Sequence, residues 1–284
     1  MKRFLLFAFL ALTACHRENG TFAQDEMKWR ETRRTRLTSD NSWLTLVGLH
    51  WLQPGTNDVT IAGAPPLTVR FTLTNGVVSV DPNPQLTIDG KPVTAPTPLA
   101  DDTNDKGPTL IKAGTRSMQV IKRNDKFAIR AKDTESEARK NFKGLDYFPP
   151  NESYRVEARF EPYNPPKKIP ITNVLGMTSD ETSPGALVFT VNGTEVRLDP
   201  IVEQGEKDLF IIFKDQTAGK ETYGAARYLY ASPPVNGKTI VDFNHAYNPP
   251  CAFTPYATCP LPPPQNRLPL RIEAGEKKYA GGHA

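Results

Sequence analysis

The sequence predicts an all-β protein: many short antiparallel strands that form a barrel or a sandwich, with a short N-terminal helix. Twenty-seven prolines and nineteen glycines among 284 residues favour turns over long helices. From Leu67 onward apolar and polar residues alternate with period two, which is typical of strands with one buried face. Asn-Gly and Asp-Gly pairs between these segments predict tight hairpin turns.

The first fourteen residues have the parts of a secretory signal. Lys2 and Arg3 supply positive charge, and residues 4–12 form an apolar run. This run is far shorter than the roughly 20 residues that a membrane-spanning helix needs. It ends in Leu-Thr-Ala-Cys at residues 12–15, which resembles the lipobox of bacterial lipoproteins. The resemblance implies a signal peptide over residues 1–14, cleavage before Cys15 and lipidation of Cys15 with acyl chains such as palmitate. An ordinary secretory signal with a chance cysteine is the alternative.

The lipobox resemblance implies a location in the cell envelope. His16 follows the cysteine in place of the aspartate that often marks inner-membrane retention, so we expect a lipid-anchored protein on the outer membrane, facing the periplasm. Each buried CH₂ of the acyl chains contributes about 0.8 kcal/mol to membrane binding. Loss of Lys2 and Arg3 lowers the formal charge from +4 to about +2. This charge and this compartment argue against nucleic acid as a partner.

Beyond the anchor, residues 15–24 are polar and are expected to form a tether. Residues 25–38 carry acidic side chains first and arginines later, the order that a helix dipole favours. The remainder is expected to be a single β-rich domain over 25–284. A division into two halves, 25–164 and 167–284, at the proline-rich segment EPYNPPKK is the alternative.

The strands are assigned from the alternation and from the turn residues that bound it. They are predicted at 68–73, 77–80, 86–88, 117–121, 127–131, 154–160, 169–175, 186–191, 195–198, 209–213, 223–230, 238–244 and 266–272. Residues 135–141 are predicted to form a short helix. So many short strands with so few helices indicate a sheet-on-sheet or closed-sheet architecture.

Two cysteines remain once Cys15 carries lipid. Cys251 and Cys259 are seven residues apart in a compartment that favours disulfides, so a bridge is expected, which would contribute roughly 2–3 kcal/mol. Inert free thiols and a reactive or metal-binding pair are the alternatives. With four histidines in the chain and no ligand spacing among them, no metal site and no cofactor are expected.

Three C-terminal strands place polar side chains beside apolar ones. Period two puts Asp215 at the end of one strand, Tyr223 and Arg227 on one face of the next, and Asp242 and Asn244 on a face of the third. If the strands pair as a meander, these five side chains converge in a polar pocket. The alternative is a buried ion pair and Asx turns that only satisfy the backbone.

A proline-rich loop, NHAYNPPCAFTPYATCPLP, follows at 244–262, and loops of this length are uncommon unless they are functional or pinned. The run DFNHAYNPPCAFTPYATCPLPPPQNRLPLRIEAGEK, preceded by FKDQTAGKETYGAARYLY, resembles domain-of-unknown-function family 1684 of bacteria and archaea. The resemblance brings no reaction, substrate or cofactor. Residues that match its motif, and that are therefore candidates for binding or catalysis, are Asp215, Tyr223, Arg227, Asp242, Asn244, Asn248, Cys251, Cys259, Asn266 and Glu276.

Three functions are compatible with these observations. The first is binding of a small-molecule ligand in a β-lined pocket beside Arg227. The second is a hydrolase-type enzyme that uses Asp215 or Asp242 as a base and Arg227 to hold an anion, although no catalytic sequence signature is present. The third is assembly with another protein of the cell envelope.

Overall fold

The β-rich prediction is confirmed by a computed structural model that describes residues 21–203 and 205–281. Cys15, the signal before it and the first part of the tether lie outside the described residues. Within them, sixteen strands form four antiparallel sheets, none of which closes into a barrel, and this is consistent with the sandwich alternative.

The helical elements are short apart from the first. Helix α1 spans Phe22–Thr38 and helix α2 spans Glu137–Lys140. Single 3₁₀ turns span Trp43–Thr45, Glu152–Tyr154, Phe243–His245, Pro250–Ala252 and Pro264–Asn266. The described helices include none that is long and apolar enough to cross a membrane.

Most predicted strands are present, β11 and β12 are longer than predicted, and β15 and β16 are shorter. They are β1 Leu46–Trp51, β2 Gly55–Ile61, β3 Leu67–Thr74, β4 Val77–Val80, β5 Asn83–Ile88, β6 Lys91–Val93, β7 Thr97–Leu99, β8 Ile111–Ala113, β9 Arg116–Arg123, β10 Lys126–Asp133, β11 Arg155–Thr172, β12 Thr178–Val191, β13 Thr194–Leu198, β14 Leu209–Phe213, β15 Arg227–Ala231 and β16 Lys238–Asp242.

Helix α1 begins three residues earlier than predicted because of its N-cap. The Thr21 hydroxyl accepts from the Gln24 N–H at 3.4 Å, and the Gln24 side chain accepts from the Thr21 N–H at 2.9 Å. This reciprocal capping box satisfies two backbone donors, so residues 22–24 of the expected tether are helical. The helix is polar on most of its surface, and its buried residues are Glu26 and Leu37.

The predicted hairpin turns are confirmed by their backbone angles. Asn75 and Gly76 have φ of 51° and 75°, and the Asn192–Gly193 and Asn236–Gly237 pairs also have positive φ at both positions. Two consecutive residues in this region form the type I′ turn, whose twist matches that of the flanking strands. The first of these turns pairs Thr74 with Val77 and so fixes the register of β3 and β4.

The first half of the chain contributes two sheets around one core. A six-stranded sheet has the order β1-β10-β9-β8-β5-β6, and a four-stranded sheet has the order β2-β3-β4-β7. The inward side chains of both sheets, such as Phe71, Leu86 and Ile129, are almost fully buried against each other. A second core, between residues 154 and 274, belongs to the sheets of the other half.

Strand β11 runs through the proline-rich segment at which the alternative division into two halves was placed. Residues 161–168 belong to this 18-residue strand, which pairs with β12 on one side. The register shifts between Pro162 and Lys167, and this irregularity accommodates the prolines because they cannot donate to the ladder. The chain is therefore continuous sheet across the position where two halves would divide.

The expected three-strand meander is wrong in its last strand. Strands β14 and β15 pair, with Phe213 opposite Arg227, but β16 pairs with β11, with Asp242 opposite Arg155. Residues 223–226 precede β15 as irregular chain, and residues 267–272 are also irregular. The four-stranded sheet of the second half therefore has the order β13-β12-β11-β16.

Candidate functional site

Asp215 and Arg227 do meet, as predicted, and they form a buried brace. The Arg227 Nη2 lies 3.0 Å from Asp215 Oδ1, and both side chains are 1% exposed. Arg227 also donates to the carbonyls of Ile272 and Ala274, while Asp215 accepts from the Ile272 N–H at 2.7 Å. Burial lowers the pKa of Arg227. The pair joins β14 and β15 to the C-terminal segment, so the structure favours the buried ion pair over the ligand-binding interpretation.

Asp242 and Asn244 lie apart from that brace, because β16 belongs to the other sheet. The Asp242 Oδ1 accepts from the backbone N–H of Asn244 at 3.0 Å in an Asx-type turn. The Asn244 amide bonds in both directions to the backbone of Asn151, at 3.0 and 2.9 Å. These contacts satisfy the backbone where β16 ends, and they do not form part of a shared polar pocket with Asp215.

Asn266 has a similar structural role in the C-terminal segment. Its amide accepts from the N–H of Asp199 at 2.8 Å and donates to the carbonyls of Asp199 and Ile212 at 3.0 Å each. Because the side chain is 1% exposed, its polar atoms need these partners. The bonds hold the start of the C-terminal segment against β13 and β14, where Leu268 N–H also donates to the Lys214 carbonyl at 2.7 Å.

Asn248 and Glu276 come together under helix α1. Glu276 is fully buried, and its two oxygens accept from Arg33 Nε and from the Asn248 N–H, each at 2.7 Å. Arg33 also donates to the Asn248 carbonyl at 3.0 Å, and its guanidinium lies 4.6 Å from the centre of the Tyr247 ring. These contacts attach the helix to the start of the proline-rich loop and to the C-terminal segment around Glu276.

The expected disulfide is not formed, and Cys251 and Cys259 are buried free thiols. The Cys251 N–H donates to Cys259 Sγ at 3.0 Å, and the Tyr223 hydroxyl donates to the Cys251 carbonyl at 2.9 Å. The hydrogen bond from Cys259 lowers the pKa of Cys251, whereas burial raises that of Cys259. Hydrogen bonds and packing against residues such as Tyr228 hold the loop in place without a covalent bridge.

A cavity of about 280 Å³ lies between the two halves of the chain. One side is an aromatic wall that consists of Phe210, Tyr228, Tyr230 and Tyr247. Phe210 and Tyr230 stack with ring centres 4.9 Å apart, and Tyr228 meets Tyr247 edge to face at 5.9 Å. The remaining lining comes from Trp43, Arg123, Arg130, Glu203, Pro250, Ala257, Thr258, Cys259 and Pro260.

Arg130 is the unusual group of this cavity. It is 8% exposed, and its buried Nε has no hydrogen-bond partner among the described residues. Asp102, which pairs with Arg123, acts on Arg130 through longer-range attraction. The guanidinium of Arg130 contacts the Trp43 ring, whose centre is 5.6 Å from the guanidinium carbon. Burial and the nearby Arg123 lower the pKa of Arg130 to about 10, so the group is charged at neutral pH. A buried, unpaired cation is costly unless an anion joins it.

Two further cations flank Arg130. Arg123 donates to Asp102 at 2.8 Å and to the Thr258 hydroxyl at 3.3 Å, so its charge is partly balanced. Lys132 lies over the other part of Trp43, with Nζ 5.9 Å from the ring centre, and burial and Arg130 lower its pKa to about 8. Among the described residues that line the cavity, the one carboxylate is Glu203, which accepts from the Tyr230 hydroxyl at 2.5 Å. The described lining therefore has two arginines for one carboxylate, with Asp102 beside Arg123.

A second cavity, of about 620 Å³, continues from the first under helix α1. The two cavities share Trp43, Tyr230 and Tyr247, and we refer to them together as the cleft. The helix side contributes Asp25, Lys28, Trp29, Thr32, Arg33 and Arg36, and the opposite side contributes Asp208 and His245. Both volumes are close to or within the range of about 300–1,000 Å³ that small-molecule sites occupy.

Of the candidate residues predicted from the sequence, Cys259 lines the cleft. Trp43 and Arg130 were not predicted as site residues, although Arg130 lies within the strand predicted at 127–131. The available signal was the position of Arg130 between Ile129 and Ala131 in the run FAIRA, where one charged residue interrupts four apolar residues. Charged side chains in such strands are rarely fully buried without a partner.

Comparison with known proteins identifies the family and brings no activity. A search of curated proteins gave no match. An uncharacterized protein from Haloarcula marismortui, solved by solution NMR, is 32% identical over 49% of this chain and 78% of that chain, with a TM-score of 0.42. The sequence profile of the family described as "Protein of unknown function (DUF1684)" matches residues 140–277. The resemblance seen in the C-terminal motif is thus confirmed, and the chain belongs to the DUF1684 family.

Proposed function

We propose that this protein binds a small anionic ligand with a flat, unsaturated body in the cleft. The observation that carries the proposal is the 8% exposed side chain of Arg130, whose buried Nε has no hydrogen-bond partner among the described residues. A carboxylate, sulfonate or phosphate placed beside it would offset the cost of its burial and would form charge-assisted hydrogen bonds.

The aromatic wall supports a planar ligand body. Tyr228, Tyr230 and Tyr247 present ring faces and edges on one side, and Trp43 lies on the other side beside Arg130. Rings bind flat unsaturated groups through offset stacking and edge contacts, which contribute about 0.5–1.5 kcal/mol per pair beyond area burial. Charge at one end and aromatic surface along the walls would select amphipathic anions.

The hydrolase alternative receives less support from the geometry. Asp215 is saturated by hydrogen bonds from Arg227, Thr217 and Ile272, and Asp242 accepts from Asn244. A general base needs a free lone pair within reach of its substrate. We retain ligand binding as the proposed function and regard Asp215 and Arg227 as residues that support the fold.

The experiment uses 1-anilinonaphthalene-8-sulfonate, an aromatic anion whose fluorescence rises on binding, and neutral 1-anilinonaphthalene as its uncharged counterpart. We expect Arg130→Met to weaken binding of the sulfonate at least tenfold and to change binding of the neutral compound little. Arg130→Lys should retain part of the affinity. Arg70→Met, at an exposed ion pair on β3, is the matched control.

Equal dissociation constants for the wild type and for Arg130→Met would refute the proposal. Native mass spectrometry of the purified protein complements this test because it reports any retained ligand by mass. A retained species that is lost in Arg130→Met would identify the natural anion directly.

We further propose that the cleft works at a membrane surface in the cell envelope, as a lipoprotein anchored through Cys15. The support is the lipobox-like sequence at residues 12–15. Metabolic labelling with palmitate should mark the wild type and not Cys15→Ser, whereas Cys251→Ser should still be labelled. Label that persists in Cys15→Ser would refute the anchor.

A further inference from the structure

A cluster of three potential metal ligands lies where helix α1 meets the end of β16. Glu26 comes from the first turns of the helix, and Asp242 and His245 flank the 3₁₀ turn after the strand. One ligand atom from each of the three residues lies within 4.8 Å of the other two. His245 Nε2 and Glu26 Oε1 are 2.8 Å apart.

The carboxylates of this cluster have unused acceptor capacity. Glu26 is 1% exposed, and its Oε2 has no hydrogen-bond partner among the described residues. Asp242 directs Oδ1 to Asn244, whereas its Oδ2 lies 3.9 Å from Arg155 Nε, beyond hydrogen-bond distance. A buried carboxylate oxygen without a donor is costly, so an additional cation at this position would be favourable.

The charges at the cluster also favour binding of a cation. Glu26 and Asp242 contribute two negative charges close together, and Arg155, whose side chain is half exposed, is the cation in ion-pair distance of Asp242. His245 supplies either a proton or a neutral imidazole nitrogen. A divalent cation would neutralise both carboxylates at once, which a single proton on His245 would not do.

The donor set defines the class of ion. One imidazole nitrogen and two carboxylate oxygens suit Zn²⁺ and neighbouring first-row ions such as Mn²⁺ and Fe²⁺, and three protein ligands leave a fourth position for water or a ligand. The Trp29 ring stacks on His245 with centres 4.6 Å apart and planes 5° apart, which fixes the orientation of the imidazole. His245 also lines the larger cavity of the cleft, which gives an ion access from solvent.

We propose that Glu26, Asp242 and His245 bind one divalent first-row transition-metal ion, with zinc as the expected occupant. The four histidines of the sequence predict no multi-histidine site, but this site needs only one. The proposal does not depend on the anion that we place beside Arg130, because it stands on different side chains.

The experiment measures zinc binding to protein that has first been stripped of metal with EDTA. Isothermal titration calorimetry should give one zinc ion per chain, and His245→Ala and Glu26→Gln should each lower the affinity at least tenfold. His50→Ala, at a half-buried histidine on β1, should bind zinc as the wild type does. Circular dichroism of each variant before titration verifies that the variant is folded. If His245→Ala does not fold, the isosteric variant Asp242→Asn replaces it in the zinc titration.

Cobalt substitution separates this site from the thiol pair. Co²⁺ held by nitrogen and oxygen gives weak visible bands, whereas thiolate ligation at Cys251 and Cys259 would add an intense near-ultraviolet charge-transfer band. Absence of stoichiometric zinc binding, binding unchanged in folded His245→Ala and Glu26→Gln, or a thiolate band would each overturn the proposal.

Discussion

Removal of the Asp215 carboxylate should destabilise the protein strongly, because it leaves the buried Arg227 guanidinium without its ion-pair partner. Asp215 accepts from Arg227 Nη2 at 3.0 Å, from the Ile272 N–H at 2.7 Å, and from the N–H and hydroxyl of Thr217. In Asp215→Ala the Arg227 guanidinium stays buried without a counter-charge, and two backbone N–H groups lose their acceptor.

The expected cost follows from this arrangement. Breaking a buried ion pair from one side destabilises by about 3–5 kcal/mol, which is a large part of the roughly 5–15 kcal/mol that stabilises a typical domain. In the double variant Asp215→Ala/Arg227→Met the uncompensated charge is removed as well. We therefore expect the double variant to regain roughly 1–3 kcal/mol relative to Asp215→Ala alone.

Equilibrium unfolding in urea, followed by far-ultraviolet circular dichroism, measures both quantities. A shift of the midpoint at constant m-value reports a change in the free energy of unfolding. Asp58→Ala is the matched control, since Asp58 forms an exposed ion pair with Arg70 at 2.8 Å and its loss should change the midpoint little.

Two results would refute this reasoning. One is a midpoint shift for Asp215→Ala no larger than that for Asp58→Ala. The other is a double variant less stable than Asp215→Ala, because the burial of an unpaired charge would then not be the source of the cost.

Two other features give separate predictions. The pKa of Lys132 is lowered from 10.5 to about 8, so the unfolded chain holds this proton more tightly and the stability of the protein should rise between pH 8 and 10.5. In thermal melts over this pH range, the melting temperature of the wild type should therefore rise relative to that of Lys132→Met, with Lys126→Met on the same strand as the control. Equal slopes of melting temperature against pH for the wild type and Lys132→Met would contradict this pKa. At Gly275 an added Cβ would lie 2.4 Å from the Ala246 carbonyl oxygen, whereas at Gly237, with a similar positive φ, it meets nothing within 4 Å. Gly275→Ala should therefore cost roughly 1–3 kcal/mol more than Gly237→Ala in urea unfolding, and similar costs would show that the clash is relieved by movement.

The hairpins of this fold are predictable because their information is local. Pairs such as Asn75–Gly76 tolerate positive φ, so the turn and the register of the adjoining strands follow from two residues. Strand β11 was not predictable in this way, since the prolines in 161–168 read as a break. A bulge that frees residues 163–166, including Pro165 and Pro166, from the ladder depends on the partner strand, which local sequence does not specify.

The candidate site likewise contains one contact that local sequence predicts and others that it does not. The meeting of Asp215 and Arg227 follows from two strands adjacent in sequence, and it was foreseen. The position of Asp242 was not, because β16 pairs with the distant β11. The Arg130 environment is still less local, since it joins β10, the turn at Trp43 and the aromatic wall across about 200 residues of chain.

The cleft is assembled from two stretches of sequence that can diverge separately. The family profile matches residues 140–277, which contain the whole aromatic wall, whereas Arg130 and Trp43 precede the matched stretch. A chain that retains only the matched stretch would keep the tyrosine rings and would lack this guanidinium. If the cleft binds an anion as proposed above, substitutions before residue 140 are sufficient to change the charge that it accepts, while the aromatic wall stays the same.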